Sequence, residues 1–268
     1  MNFEEAYPEV FLQRQRKPFA TVMFDDGFED NVEYAAEILR AEACPASFYV
    51  VTDCVDTGVP TWTYCLDYRL LNSECAELQL ESSVLPESLR SANLRSRERR
   101  VRYGKQLKPF LKMLQQRDRL EILTQIKLQC SDCDVPRCMM DWKQVSQLAS
   151  DGFVIGSHTV THPLLATIDD PKTLDYELTY SRDRIIEMVG VVPKSISYPI
   201  GSWDPSVVDA SRRAGYEIGL AVMNKPYDPI TDSGFAVPRV ELYNESWTKT
   251  LLRMHGWIHR IKSWRRAG

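Results

Sequence analysis

Short apolar runs alternate with longer amphipathic stretches along most of the chain. The runs are FATVMF, SFYVV, FVIGS, SISY, EIGLAV and FAVPRVEL, and most of them have the β-branched and aromatic content that is typical of buried strands. The stretches between them, such as residues 171–190, place apolar side chains three and four positions apart, as on one face of a helix. This alternation predicts a parallel α/β architecture.

Residues that favour helix ends mark the boundaries of these stretches. Asp141 and Asp204 each precede a predicted helix at the position where a side-chain oxygen caps the first turn. Gly190 follows a third predicted helix, where a left-handed residue ends it. The first helix, DNVEYAAEILRAEA, is expected to be capped by Asp30 or Asn31.

The alternation is interrupted between about residues 57 and 140. This segment is mostly polar and helix-favouring, and we expect a solvated helical insertion on the rim of the fold. An alternative is a lid, or a grip on an anionic substrate or lipid surface, because five arginines lie close together: Arg95, Arg97, Arg99, Arg100 and Arg102. No linker rich in Gly, Ser or Pro sets the segment apart, so we predict one domain over residues 1–268.

Composition and charge exclude several classes of protein. Of 268 residues, 44% are hydrophobic and 26% charged, which excludes a largely disordered chain. The net charge of −4 gives no reason to expect general nucleic-acid binding. No uncharged apolar run reaches the ~18 residues of a membrane span, and no secretory signal is visible. A cytoplasmic location is therefore expected, with an exported form as the alternative.

Seven cysteines cannot all pair within one chain, and the missing secretory signal favours a reducing compartment. Cys130, Cys133 and Cys138 form one cluster, CSDCDVPRC, with a single CxxC spacing. A structural zinc site needs a fourth ligand, and neither a second CxxC nor a nearby histidine supplies it. Free thiols in a loop are expected here, with a structural metal as the alternative.

Three groups of polar or special residues directly follow predicted strands. They are Asp25, Asp26 and Gly27 after FATVMF, His158 and His162 after FVIGS, and Tyr198 and Pro199 at the end of SISY. In parallel α/β barrels the carboxyl ends of the strands meet at one rim, where active sites are built. We therefore expect these residues to face one another.

The residue types at these strand ends are suited to a divalent metal. Adjacent carboxylates after a buried strand are costly unless they are paired, protonated or bound to a cation. Two histidines four residues apart can be aimed at one ion by a single helical turn. One carboxylate with two imidazoles leaves positions open for water and substrate. The alternatives are a capping turn at Asp25–Gly27 and a chance HxxxH spacing.

Together, VMFDDGFED, GSHTVTHPLL and SYPIGSWD resemble the motifs of polysaccharide deacetylases of the NodB-homology type, carbohydrate esterase family four. The resemblance covers about residues 19–240, apart from the insertion. It implies a distorted (β/α) barrel that hydrolyses an N-acetyl, sometimes an O-acetyl, group of a sugar.

The resemblance also implies roles for single residues. Asp26, His158 and His162 are expected to hold the metal, with Zn²⁺ as the first expectation and Co²⁺, Ni²⁺ or Mn²⁺ as alternatives. Asp25 is expected to be the general base, taking a proton from a water whose pKa the ion lowers.

The third motif departs from the family pattern. Arg-x-Pro-Tyr is replaced by Ser197, Tyr198, Pro199 and Ile200, so the arginine that steadies the catalytic aspartate is missing. A Tyr-Pro-x-Gly version occurs in some relatives, and a backbone N–H near Pro199 and Ile200, beside Tyr198, is expected to stabilise the oxyanion. Arg239 is expected to orient Asp25 instead, the alternative being an ordinary rim residue.

The C-terminal tail, residues 249–268, combines basic and aromatic residues. His255, in LLRMHGW, resembles the family's Leu-x-His motif and is the expected acid for the leaving amine, with a helix-surface residue as the alternative and His259 as a rival. On a helix, Trp257, Ile258, Ile261 and Trp264 are expected to form an apolar face. We expect a terminal helix packed on the barrel, with association with a membrane surface as the alternative.

The sequence thus predicts a metal-dependent hydrolase that removes acetyl groups, N-acetyl first, from a saccharide or polysaccharide. Two alternatives stay open at this point. One is a catalytically weak or inactive barrel that binds polysaccharide or a polysaccharide-synthesis partner, because the motif arginine is missing. The other is a deacetylase of a small acetylated metabolite. The expected partners are an N-acetylated saccharide, no nucleic acid, and either a membrane surface or a synthesis partner.

Overall fold

The computed structural model describes residues 3–11 and 20–257, in which eight strands form two sheets. The strands are β1 (Val22–Phe24), β2 (Ala46–Val50), β3 (Glu77–Gln79), β4 (Ser91–Asn93), β5 (Val154–Ser157), β6 (Ser195–Ser197), β7 (Ile218–Val222) and β8 (Val237–Arg239). Six of them pair in parallel in the order β1-β2-β5-β6-β7-β8, and β3 and β4 form an antiparallel pair. The parallel sheet confirms the predicted α/β class.

Helices lie before, between and after the parallel strands. They are α1 (Phe3–Phe11), α2 (Glu37–Ala41), α3 (Thr52–Thr57), α4 (Trp62–Asn72), α5 (Glu87–Arg90), α6 (Arg97–Leu111), α7 (Gln116–Gln129), α8 (Trp142–Ser150), α9 (Pro171–Val189), α10 (Pro205–Arg213) and α11 (Trp247–Met254). A π-helical segment (Asn31–Ala36) precedes α2, and 3-10 turns lie at Leu165–Thr167 and Pro199–Gly201. Helices α8 and α9 pack on each other and on β5.

The parallel sheet curls into a half-barrel whose strands end at a common rim. Each strand pairs with the strand that precedes it in the order, and the register brings Val50 beside Ser157 and Val222 beside Arg239. β1 and β8 are the two edges of the sheet, yet Arg239 at the end of β8 reaches Asp25 just after β1. The curvature therefore brings the first and last strands together at their carboxyl ends.

The opposite end of the half-barrel is closed by α1. The Glu4 carboxylate accepts hydrogen bonds from the backbone N–H of Ser195 at 3.1 Å and from its hydroxyl at 2.7 Å, at the start of β6. Phe3 packs with Tyr49 and Leu220 on the inner face of the sheet. With this end filled by apolar side chains, the rim at the carboxyl ends is the open side of the fold.

Three predicted helix boundaries are confirmed. Asp141 and Gln144 form a reciprocal capping box at the start of α8, and Asp204 accepts a hydrogen bond from the N–H of Val207 at the start of α10. Gly190 ends α9 in a left-handed conformation, with φ of 79°. Each side-chain cap of this kind contributes about 1 kcal/mol to stability.

The predicted cap of the first helix is wrong. Asp30 has helical backbone angles, with φ of −62° and ψ of −21°, so its side chain makes no capping hydrogen bond. The helix begins as the π-helical segment instead. The preceding loop is held by tertiary bonds, because the N–H of Glu29 donates to the Cys138 carbonyl and that of Met140 to the Gly27 carbonyl. These contacts, which span more than a hundred residues of sequence, set the entry to the helix.

The insertion has a hydrophobic cluster of its own. Helices α4, α6 and α7 pack together around buried apolar residues that include Leu70, Leu107 and Ile122. The helical content agrees with the prediction, but the segment is less polar inside than its overall composition suggested. The division of residues 1–268 into one domain with an insertion at about 57–140 stays a prediction.

The arginine run serves mainly to hold the insertion together. Arg100 donates to backbone carbonyls at the end of α4 and before β3, at 2.8 and 2.9 Å. Arg95 pairs with Glu77, and Arg102 with Glu98 one helical turn away. These contacts indicate that the arginines stabilise the insertion rather than bind an anionic partner.

The cysteines of the described residues are free thiols, and Cys130 and Cys133 are buried. Within the described part of the chain they do not converge with other ligands on a metal site. No helix in the same residues has the length and apolar content required to cross a membrane. Of the predicted tail, His259, Ile258, Ile261 and Trp264 lie outside the described residues.

Candidate metal centre

The loop after β1 presents two carboxylates to the rim. Asp26 has a left-handed backbone, with φ of 71°, and Gly27 follows with φ of 86°. Such a conformation costs a non-glycine residue about 1–2 kcal/mol, although aspartate tolerates it better than most. The hydrogen bond from Met140 N–H to the Gly27 carbonyl, at 2.9 Å, holds the turn. Left-handed backbone at such a residue is typical of functional sites.

The loop after β5 carries both histidines but is not a helical turn. Thr159 and His162 are left-handed, with φ of 70° and 58°, so the expectation that one helical turn aims the two imidazoles is wrong. Short local bonds fix the loop instead. The Ser157 hydroxyl accepts from Thr159 N–H at 3.2 Å, and the Thr159 hydroxyl from His162 N–H at 3.1 Å.

Asp26, His158 and His162 nevertheless converge. Oδ1 of Asp26 lies 3.4 Å from Nε2 of His158 and 3.3 Å from Nε2 of His162, and the ligand atoms of all three lie within 4.8 Å of one another. Ligand atoms at 2.0–2.2 Å from one tetrahedral ion lie about 3.4 Å apart. The cluster therefore fits a divalent metal.

The orientation of His158 is suited to metal binding. Its Nδ1 lies 2.6 Å from the carbonyl oxygen of Ser197 on β6, so Nδ1–H donates to that carbonyl and Nε2 faces Asp26. The ring is 2% exposed. A backbone carbonyl on the far nitrogen is a typical partner of a metal-ligating histidine, because it fixes the ring and its tautomer.

Asp25 lies beside the cluster and is held by Arg239. Two guanidinium nitrogens of Arg239 donate to Oδ1 and Oδ2 of Asp25 at 2.8 and 2.7 Å, and the Ser197 hydroxyl donates to Oδ2 at 3.1 Å. Oδ2 is 3.9 Å from Nε2 of His158. Asp25 is thus next to the ligand set without belonging to it, and Arg239 lies where an orienting arginine is needed.

The electrostatics of the cluster favour a positive charge between these groups. Burial opposes ionisation of Asp25, but the charges of Arg239 and His158 outweigh it and hold the pKa of Asp25 well below its usual range. The pKa of Asp26 is also lowered, since its hydrogen bond to His158 and the two imidazoles outweigh burial. Burial lowers the pKa of His162 to about 4, so its ring is neutral at pH 7. Burial acts the same way on His158, but the two carboxylates raise its pKa.

The third-motif residues contribute unequally. Tyr198 has a fully buried side chain that packs in the core, so it presents only its backbone to the rim. Pro199 and Ile200 form a tight turn in which Ile200 is left-handed, with φ of 57°. The oxyanion role of this turn stays a prediction.

Among the described residues, His255 makes no contact with the cluster that the structure shows. It is exposed at the end of α11, where it lines a hollow of about 300 Å³ with Lys225, Tyr227 and Asp228. None of Asp25, Asp26, His158 and His162 lines this hollow. The acid role of His255 stays a prediction.

Glu177 supports the histidine loop, and the sequence analysis did not single it out. Its side chain, on α9, is 2% exposed and accepts hydrogen bonds from the N–H groups of Val160 and Thr161, both at 2.9 Å, and from the Thr161 hydroxyl. Burial raises its pKa. The one feature of the sequence that could have indicated this role of Glu177 is its position as an acidic residue beside the apolar face of a predicted helix.

The insertion contacts the same loop. Nε1 of Trp62, at the start of α4, donates to the carbonyl oxygen of His162 at 3.2 Å. The Arg119 guanidinium lies 5.5 Å from the Trp62 ring and donates to the Thr167 hydroxyl at 3.4 Å. The insertion therefore braces the loop that carries two of the three ligands.

Comparisons with known proteins agree with this picture. A family model described as polysaccharide deacetylase matches residues 13–219. No curated protein matches the sequence at a significant level. The match spans both loops of the metal cluster and the turn after β6.

Several solved structures share the fold. A Streptococcus pyogenes deacetylase, PplD, in complex with acetate has a TM-score of 0.60 at 16% identity, covering 95% of this chain and 79% of its own. IcaB from Ammonifex degensii has a TM-score of 0.55 at 16% identity, with 93% and 79% covered. The BpsB deacetylase domain from Bordetella bronchiseptica has a TM-score of 0.55 at 15% identity, with 88% and 76% covered. These similarities confirm the predicted distorted (β/α) barrel.

Proposed function

The chain belongs to the polysaccharide deacetylase family, and we propose that it is a metal-dependent hydrolase that removes N-acetyl groups from a saccharide. One observation carries the proposal: Asp26, His158 and His162 converge at the open rim beside an Asp25 that is held by Arg239. The activity named for the solved structures of this fold supports deacetylation.

The proposed metal ligands are Asp26, His158 and His162. One carboxylate and two imidazoles favour Zn²⁺, with Co²⁺, Ni²⁺ or Mn²⁺ as alternatives. A divalent ion at this position supplies a Lewis acid and lowers the pKa of a water molecule that it binds. Burial keeps His162 neutral, so its ring offers a lone pair. The Ser197 carbonyl keeps Nε2 of His158 directed at the site, where a bound cation would displace the proton that the neighbouring carboxylates favour.

Asp25 is the proposed general base. The Arg239 charge keeps its carboxylate ionised at neutral and mildly acidic pH. Oδ1 retains a lone pair beyond its bond to Arg239, whereas Oδ2 also accepts from the Ser197 hydroxyl. The two bonds to Arg239 also fix the direction in which Asp25 takes a proton from water. Because the lowered pKa makes the acquired proton weakly held, Asp25 can release it again within the catalytic cycle.

Two groups are candidates for returning a proton to the leaving amine, His255 and protonated Asp25. Asp25 lies beside the ligand set, whereas His255 lines the hollow near Asp228. This placement favours Asp25. The turn at Pro199 and Ile200 is the proposed source of the backbone N–H that stabilises the oxyanion.

Arg239 bears on the alternative of an inactive barrel. That alternative rested on the arginine missing from the third motif, and the bonds from Arg239 to Asp25 support an active barrel instead. The proposed setting is cytoplasmic, and the proposed substrate is an N-acetylated saccharide.

Acetate release from N-acetylglucosamine oligomers tests the proposal. The zinc-loaded protein is expected to release acetate, and Asp25→Asn is expected to retain bound zinc while losing at least about a hundredfold in turnover. His158→Ala is expected to lose zinc as well as activity. Asp209→Asn, a substitution of an exposed aspartate on α10, is the matched control. Full activity in Asp25→Asn would contradict the mechanism, and zinc binding without turnover on any acetylated glycan would favour the inactive barrel.

A further inference from the structure

Helix α11 is attached to the body of the protein by its charged side. Arg253 donates to both carboxylate oxygens of Glu245, at 2.8 and 3.1 Å, and its guanidinium lies 4.7 Å from the Tyr243 ring. Lys249 pairs with the same carboxylate at 3.2 Å. The Glu245 side chain is only 7% exposed, so this ion-pair cluster is the inner side of the helix.

The apolar side of α11 faces outward. Trp247 is 71%, Met254 43% and Leu251 36% exposed, and no residue of the helix is buried. Trp247, Leu251 and Met254 follow one another at spacings of four and three, which places them on one face, with Lys249 and Arg253 opposite. A surface helix normally has the reverse arrangement, with its apolar stripe towards the core.

The sequence after α11 again combines apolar and basic residues. Two isoleucines, Ile258 and Ile261, follow the left-handed Gly256 that comes after α11. Four cationic residues accompany them, Arg260, Lys262, Arg265 and Arg266, and no acidic residue follows Glu245. An apolar stripe with aromatic residues, flanked by uncompensated positive charge, is the composition of a helix that lies on an anionic membrane.

We propose that helix α11 binds the surface of an anionic lipid bilayer, with its Trp247–Leu251–Met254 face in the interfacial region and the basic sequence that follows adding electrostatic attraction. A second copy of the chain is the main rival occupant, but charge opposes it, because two such tails would bring their basic residues together. The apolar stripe is also shorter than the three to four heptads that indicate a coiled coil. This inference goes beyond the proposed function and does not depend on it.

Sedimentation with vesicles tests the proposal on the full chain. We expect the protein to bind vesicles of 70% phosphatidylcholine and 30% phosphatidylglycerol at least about tenfold more tightly than vesicles of phosphatidylcholine alone. Raising the salt from 0.1 to 0.5 M is expected to weaken the binding severalfold, because it screens the basic tail. A protein that stays in the supernatant with both vesicles would overturn the proposal.

Two double variants distinguish vesicle binding by this face of α11 from nonspecific hydrophobic adsorption. Trp247→Glu with Leu251→Glu places two charges on the outward face and is expected to lose vesicle binding at least tenfold. Met113→Glu with Leu128→Glu makes the same charge change at residues of the insertion that are 71% and 69% exposed, and is expected to bind like the wild type. Circular dichroism melts check that both variants fold. Equal vesicle binding by the two variants would overturn the proposal. It would also be overturned if the wild type did not bind vesicles but formed a dimer in light scattering that the first variant abolished.

Discussion

At the scale of single residues, the metal centre depends on how the negative charge of the desolvated Asp25 carboxylate is compensated. Asp25 follows a strand and lies among partly buried groups, so its charge requires a nearby cation. Arg239 meets this requirement from a position 214 residues away, bonding to Asp25 and to the Ser197 hydroxyl. The sequence indicated the carboxylates and histidines through their position after strands. The sequence left two roles equally open for Arg239, orienting Asp25 or serving as an ordinary rim residue, because only the curvature of the sheet decides between them.

Replacing Arg239 tests this compensation. In Arg239→Leu the burial of Asp25 is no longer opposed by the guanidinium, so the pKa of Asp25 rises from its lowered value. Protonation then removes the base as the pH falls, and we expect the acid limb of kcat/KM to move to higher pH, with a drop of about a hundredfold at neutral pH. A pH–rate profile beside that of Arg212→Leu, an exposed arginine of α10, checks this. Superimposable profiles would contradict the role of Arg239.

Glu177 affects the centre through the histidine loop. Glu177→Gln keeps the size of the side chain but replaces one of its two oxygens, both of which accept hydrogen bonds, by an NH₂ group that cannot accept from the Val160 N–H or from the N–H and hydroxyl of Thr161. We expect a loss of about 1–3 kcal/mol in the free energy of unfolding of the metal-free protein. Zinc affinity is expected to fall about 10–100-fold, as for other groups that support ligands.

Denaturant unfolding and calorimetric zinc titration measure the two effects. Glu187→Gln, on the exposed side of the same helix, is the control and is expected to change neither stability nor affinity appreciably. Unchanged zinc affinity in Glu177→Gln would show that the loop does not need this carboxylate.

At the scale of elements, strands and helix caps were predictable because their signals are local. Asp141, Asp204 and Gly190 act on the backbone within one turn, and the structure has them where they were expected. The histidine loop was not predictable in the same way. Its left-handed residues, Thr159 and His162, depend on Glu177 and on the insertion, which are distant in sequence.

The insertion is expected to contribute through Trp62. Trp62→Phe keeps an aromatic ring beneath Arg119 and removes only the hydrogen bond to the His162 carbonyl. We expect several-fold weaker zinc binding, because that loop loses a tether while the fold is kept. Trp142→Phe is a matched control, since Nε1 of Trp142 donates to Asp56 and an arginine lies over its ring. Equal zinc affinities of the two variants, by calorimetry, would contradict the bracing role.

At the scale of the whole molecule, closure of the sheet makes the site. The strands follow one another in chain order, and this could be predicted from the alternation of strands and helices. The approach of β1 to β8 could not be predicted from the sequence, because the curvature of the sheet results from packing across its whole inner face, including Tyr49 and Val237. Asp25 and Arg239 join these two edges at the open rim, opposite the end that α1 closes.

The central claim is that hydrolysis of an acetyl group depends on a divalent metal held by Asp26, His158 and His162. The most direct measurement is acetate release from N-acetylglucosamine oligomers by one protein sample before chelation, after removal of metal, and after addition of one equivalent of Zn²⁺. We predict release that chelation abolishes and zinc restores in the wild type, with no restoration in His162→Ala. Acetate release that persists unchanged after the metal has been removed would contradict this metal dependence.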